Sequence, residues 1–298
     1  MDFNNKSQTY DHSDIQQIIE HTNHLEWINF DQLESVNQQG DFSQIYSAVW
    51  KEGPKCKFDK DAKVWIRNGP TKVILRRLNA SVNQLYKYRR CLQSDILAEY
   101  FGMTKDPTSN YMMVMRYYEQ GNLYSYLDES LGAICWRDIV EILWNISAGL
   151  NFIHECGLVH GNLHGGNILV ENEADSIDVR ISDTGLPCPA DISTKQIYGV
   201  IPFVAPEIFN GNNPTKESDI YSFGMIMWML SADVRPYCNR NHDLTLVREI
   251  GSGLKPSVVS GTPPVFAKLM YECLDYNPSN RPTASQLYNC LDKWVTAI

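Results

Sequence analysis

Apolar and polar positions change period along this chain, and the change divides it. Between Trp27 and about Leu78 the pattern is that of strands. Residues 45–50 alternate and are rich in β-branched and aromatic types. Residues 63–66 and 71–75 flank Asn68-Gly69, a dipeptide that signals a hairpin turn between them. A helix is expected over residues 82–92 and a further strand over 111–116. After Gly121 helical spacing takes over. Residues 136–155 place Ile139, Ile142, Leu143, Ile146, Leu150 and Ile153 on one stripe, and Gly157 then stops the helix. Residues 219–230 are apolar nearly all round, which predicts a helix in the core. Residues 265–275 and 283–295 read as two closing helices. Residues 1–25 are polar, with one short helical stretch near 15–20. Without an apolar face to pack, they read as a tail or partner-contact segment. The expected layout is that tail, a small β-rich lobe over 26–118 and a larger helical lobe over 119–298. The crevice between two such lobes is a usual place for a ligand.

Composition narrows the classes. A chain of 298 residues with 43% hydrophobic and 11% aromatic content can bury a sizeable core, which excludes disorder throughout. A net charge of −9 and a pI near 5.3 argue against a nucleic-acid binder, which needs a basic face to neutralise phosphates. The longest apolar run, residues 224–230, is too short to span a bilayer. The first six residues lack the apolar core of a signal peptide, so a cytoplasmic location is expected. The eight cysteines form no CxxC pair and read as small buried hydrophobes in a reducing compartment. The seven histidines show no HExxH spacing, which points away from zinc.

Five motifs then occur in one order. They are Val159-His-Gly-Asn-Leu-His-Gly-Gly-Asn-Ile-Leu169, Ile181-Ser-Asp-Thr-Gly185, Ala205-Pro-Glu207, Asp219-Ile-Tyr-Ser-Phe-Gly224 and Asn277-Pro-Ser-Asn-Arg-Pro282. Singly each is weak; in register they resemble a eukaryotic protein kinase domain of the tyrosine-kinase-like group, across roughly residues 30–295. The resemblance implies an α+β, two-lobe fold, with a small antiparallel β lobe carrying one helix and a larger helical lobe. It also implies a buried ion pair between Glu207 and Arg281, and Asp219 capping the catalytic loop from below.

The site implied by the resemblance is altered at several points. The phosphate-covering glycine-rich loop aligns with residues 38–45, where Gly40 survives, Gln38 and Ser43 replace glycines, and Ile45 closes the motif. The VAxK strand reads Val73-Ile-Leu-Arg76. Arg76 keeps the charge as a wide planar fork in place of a slim ammonium, and Ile74 replaces a small alanine beside the adenine pocket. The helix partner of the strand lysine aligns with neutral Gln84. Met115 falls at the gatekeeper position, with backbone groups of Arg116 and Tyr118 along the adenine edge, and Leu169 completes the nucleotide-binding set. Asn162 stands where the family has its proton-accepting Asp. Gly161 replaces the Arg that reads a phosphorylated activation loop. His164 stands where many serine/threonine kinases carry a phosphate-contacting Lys. The two Mg²⁺ ligands, Asn167 and Asp183, are kept, while Thr184 replaces the DFG Phe. Ser193, Thr194 and Tyr198 are candidate phosphosites.

ATP and Mg²⁺ are therefore the cofactors implied, and the degraded loop, Ile74 and Arg76 all weaken that implication. Loss of the transfer apparatus with retention of the fold determinants points to a pseudokinase, a signalling scaffold or allosteric partner of another protein such as an active kinase. A slow or atypical protein kinase using Asp183, Asn167 and Arg76, and a nucleotide-binding switch without transfer, are the alternatives.

Overall fold

The computed structural model describes residues 12–22, 25–39, 44–78, 82–130, 132, 134–173, 176–183 and 199–297. The expectations for Gly40, Ser43, Thr184, Ser193, Thr194, Tyr198 and the side chain of Gln84 lie outside the described residues. The chain divides into two compact units, the first ending at Tyr117 and the second beginning at Tyr118.

The first unit contains helix α1 (His12–Glu20), strands β1 (Glu26–Trp27), β2 (Leu33–Gln38), β3 (Ile45–Trp50), β4 (Lys55–Asp59), β5 (Val64–Arg67) and β6 (Thr71–Arg77), helix α2 (Val82–Leu92), and strands β7 (Tyr100–Lys105) and β8 (Tyr111–Arg116). Six strands form one sheet in the order β1-β7-β8-β6-β3-β2. Its pairings are antiparallel except for β1, which joins β7 in parallel. One sheet face packs Ile28, Trp50, Val73, Leu75, Phe101 and Val114 into a core. Each such side chain contributes on the order of 1.5–3 kcal/mol on burial. Gly102 is required where β1 approaches, because a Cβ there would lie 1.9 Å from the carbonyl oxygen of Glu26.

Two readings of this unit need correction. Asn68-Gly69 does not join a paired hairpin. Both edges of β6 are taken, by β3 and β8, so β5 turns back on β4 as a separate two-stranded sheet. Nor does the N-terminal segment lack a face to pack. Ile15 and Ile18 are fully buried, and α1 packs against α2 and β1. Two apolar positions one helical turn apart suffice here, and Thr22 closes the helix by donating to the carbonyls of Ile18 and Ile19.

Asp106 organises the β7–β8 turn. Its carboxylate accepts from the Asn110 amide (2.8 Å), the Thr108 hydroxyl (2.8 Å) and the Asn110 side chain (3.2 Å), with Arg77 at 3.4 Å. Burial alone would raise its pKa, but these hydrogen bonds and the Arg77 charge together hold it below the ordinary carboxylate range. A lowered native pKa stabilises the fold above the unfolded value, and the contribution is lost as pH falls through the native one. Asp106→Asn is expected to lower the melting temperature at neutral pH, and the difference from wild type should shrink as the pH falls below the ordinary carboxylate range. A difference that does not change with pH would assign the effect to hydrogen-bond geometry alone.

The second unit contains α3 (Leu123–Ser130), α4 (Trp136–Glu155), the antiparallel pair β9 (Ile168–Glu173) and β10 (Ser176–Ile181), then α5 (Pro206–Phe209), α6 (Lys216–Ala232), α7 (Leu244–Gly251), α8 (Pro264–Cys273) and α9 (Ala284–Ala297). Helix α4 packs on α9 and β10, and α6 packs on α8. As its composition predicts, α6 is buried on all sides from Ser218 through Met227. Thr215 caps it, accepting from the Ser218 amide, while the Ser218 hydroxyl accepts from the Thr215 amide.

The Glu207–Arg281 pair forms as expected. The Arg281 side chain is fully buried and donates to both carboxylate oxygens, at 2.6 and 2.8 Å. It also donates to the carbonyls of Asp275 (2.8 Å) and Glu217 (2.9 Å), so one guanidinium ties α5, α6 and the segment after α8 together. No helix among the described residues is long and apolar enough to cross a membrane.

Candidate functional site

The site residues fall in two groups, one on each unit. In the second unit they are built around Asp219. Helix α4 ends at Glu155, and the chain then runs through buried Leu158 to His160. Asp219, on the first turns of α6, lies beneath this loop with 1% exposure. One carboxylate oxygen accepts from the His160 amide (2.8 Å) and the His154 ring (2.9 Å), and the other from the Gly161 amide (2.8 Å). Buried carboxylates are stable when their lone pairs are filled in this way. Asp219 does cap the loop. Gly161 adopts φ +75°, a conformation that disfavours side chains with a Cβ.

His160 links this loop to the end of β10. Its Nε2 donates to the carbonyl of Ser182 (2.9 Å), and its Nδ1 accepts from the Asn162 amide (3.2 Å), which fixes a neutral tautomer. Ser182 in turn donates through its amide (2.8 Å) and hydroxyl (3.1 Å) to the carbonyl of Asn167. Asn167 closes the ring by donating its side-chain nitrogen to the carbonyl of Asn162 (3.0 Å). The structure thus brings Asn162 and Asn167 together and places buried Asp183 directly after Ser182, with a left-handed φ of +64°. A non-glycine residue held there marks a backbone over-determined by its surroundings. Leu169 bridges to Asn122 and pairs with Arg180.

Sequence reasoning missed the aromatic wall beside this loop. Tyr124 stacks on His164 (centroids 6.0 Å, planes 16° apart), and Phe203 lies 6.3 Å from both rings. His164 accepts the Gly166 amide on Nδ1 (3.0 Å). Burial raises the Tyr124 hydroxyl to about 12 despite Arg235 over its ring, so it stays a neutral phenol. No local pattern pointed to Tyr124. The double glycine at 165–166 was the available signal, since a Cβ on Gly165 would lie 2.5 Å from the Tyr124 ring.

In the first unit register decides which residues share a face. Arg76 pairs with Ile45 and Met113, and Ile74 pairs with Ser47 and Met115. These alternate with the core residues Val73 and Leu75, so Ile45, Ile74, Arg76 and Met115 line the opposite face of the sheet. Gln38 does not join them. It pairs with Tyr46, which faces Leu75, and it is exposed. Arg116 is exposed beside Glu99, with its amide donating to the Glu99 carbonyl (3.0 Å), and Tyr118 is buried.

The donor set suits Mg²⁺ in kind. Asn167 uses its amide nitrogen on Asn162, so its Oδ1 is the atom left for a cation, and Asp183 supplies a carboxylate. Mg²⁺ commonly takes one or two such oxygens and completes its shell with water and phosphate. Base chemistry does not fit, because a carboxamide at Asn162 has no useful proton affinity.

A small β unit that carries helices α1 and α2, and a helical unit with an Asp219-capped loop and an Arg281–Glu207 pair, define a protein-kinase fold. A sequence model of the protein tyrosine and serine/threonine kinase family matches residues 32–291, and the chain belongs to that family. Among its relatives, human receptor-interacting serine/threonine-protein kinase 1 is 32% identical over 197 residues, 58% of this chain and 28% of that protein. Serine/threonine/tyrosine-protein kinase HT1 of Arabidopsis thaliana is 24% identical over 262 residues, 86% of this chain and 64% of that protein. Zebrafish (Danio rerio) ephrin type-A receptor 3 is 29% identical over 191 residues, 62% of this chain and 19% of that protein. The chain spans less than two thirds of the length of each of these relatives.

Proposed function

We propose that this chain is a pseudokinase, a protein-kinase fold that serves as a signalling scaffold or allosteric partner of another protein, such as an active kinase. The observation that carries the reading is Asn162. Its backbone is held on both sides, by His160 and Asn167, so the loop is formed while the side chain offers no base. A positioned base is worth about 10²–10⁴-fold in rate. Arg76 at the strand-lysine position supports the same reading.

ATP and Mg²⁺, when bound, supply the transferable phosphoryl group and the charge that neutralises it. Asn167 and Asp183 would hold the metal, Arg76 would meet phosphate, and Ile45, Ile74 and Met115 would meet the base. The retained Asn167–Asp183 pair favours a second reading, a slow kinase without a base.

A thermal-shift titration with ATP, with and without Mg²⁺, separates these readings, with Asp183→Ala as control. Ligand at 100 times Kd adds about 2.7 kcal/mol of stability. The scaffold reading expects little or no Mg²⁺-dependent shift and no phosphotransfer, before or after Asn162→Asp. A Mg²⁺-dependent shift lost in Asp183→Ala, with transfer that rises about 10²-fold or more in Asn162→Asp, would replace it with the slow kinase.

A further inference from the structure

Exposed large apolar side chains cluster on the two-stranded sheet β4–β5. Phe58 (43% exposed), Val64 (54%), Trp65 (52%) and Ile66 (45%) all lie on it. Register puts them on both faces: Phe58 opposes Trp65 on one, while Val64 and Ile66 oppose Asp59 and Lys57 on the other. The base of this sheet is fixed. Arg67 forks onto Glu26 and donates to the Gly53 carbonyl (2.8 Å), and Lys55 reaches Glu26 at 3.3 Å. Beyond the base, Lys57, Lys60 and Lys63 are exposed. Residues 55–67 hold five basic side chains against two acidic ones, in a chain of net charge −9. Among the described residues no strand pairs with the outer edge of either β4 or β5.

We propose that β4–β5 is a docking site for an extended protein segment rich in acidic and apolar residues, which adds to the sheet as a third strand. An added strand sends alternate side chains to opposite faces, which is what apolar residues on both faces call for. A rigid protein surface laid on the sheet would cover only one. Two strands are marginal in water and three are the usual minimum for stability, so the open edge and the uncovered faces are relieved together. The lysines select an acidic segment over a basic one. A second copy of this chain pairing through the same strands would set like charges against each other. A membrane would have to accept Asp59 and Asp61 beside the apolar residues.

This inference deepens the scaffold reading by naming a partner class, and its test reads no nucleotide, so the two fail separately. A short fluorescent peptide of alternating Glu and Val is titrated into the full chain. It is compared with a Lys-Val counterpart, a Glu-Val peptide N-methylated at alternate residues, and vesicles of phosphatidylserine with phosphatidylcholine. Only the unmodified Glu-Val peptide should bind. Trp65→Ser and Lys57→Glu should each weaken it about tenfold, with melting temperatures unchanged because both side chains are exposed. Failure of that peptide to bind, binding untouched by either substitution, or equal binding of the N-methylated peptide would overturn the proposal. So would vesicle binding in place of peptide binding, or a dimer in sedimentation that Trp65→Ser dissolves.

Discussion

Arg281→Ala should destabilise the chain by about 3–5 kcal/mol, the range for removing one partner of a buried ion pair. The cost comes from what is left behind rather than from the pair itself. Glu207 would keep a nearly buried charge, and the carbonyls of Asp275 and Glu217 would lose their donor. The measurement is the urea midpoint at unchanged slope. A double variant, Arg281→Met with Glu207→Leu, removes both charges and should recover part of the loss. Were the single and double variants equally damaged, packing at Arg281 would be the cause, and the ion-pair account would fail.

Asp219→Ala should be of similar size, because three donors lose their acceptor and each buried unsatisfied group costs about 1–3 kcal/mol before relaxation. Asp219→Asn supplies the control. Its one oxygen can still serve His154 and the His160 amide, but its NH₂ would face the Gly161 amide, donor against donor. The expected order of stability is wild type, then Asn, then Ala. Amide exchange at Gly161 should speed up in both variants. An Ala variant as stable as wild type would mean that the loop is held by its link to β10, through His160 and Ser182, instead of by α6.

The long helices were legible in the sequence because their periodicity runs for several turns. The spacing predicts 136–155, and α4 occupies those residues; α6, α8 and α9 differ from expectation by a few residues at their ends. Strand β7 left no such trace. All but its last residue are buried, so it does not alternate, and Gly102 interrupts it. Strand β4 was hidden for the opposite reason, since four of its five residues are exposed. The turn dipeptide at 68–69 misled because turn chemistry is local, whereas pairing depends on which edges of β6 remain open. Motif spacing singled out Asn162, Asn167 and Asp183, and the structure joins the first two by a hydrogen bond and buries the third. The separation of Gln38 from Arg76 was invisible without register, and His154 gave no sign of its bond to Asp219.

The packing of α1 has a practical side. The family match begins at residue 32, but Ile15, Ile18 and β1 are already part of the first unit. A recombinant fragment started at the family boundary would strip the parallel strand from β7 and the helix from α2. It would present water with a bare strand edge next to freshly uncovered apolar side chains, the recipe for insoluble protein. For this chain, the length that the family shares is shorter than the length that must be expressed.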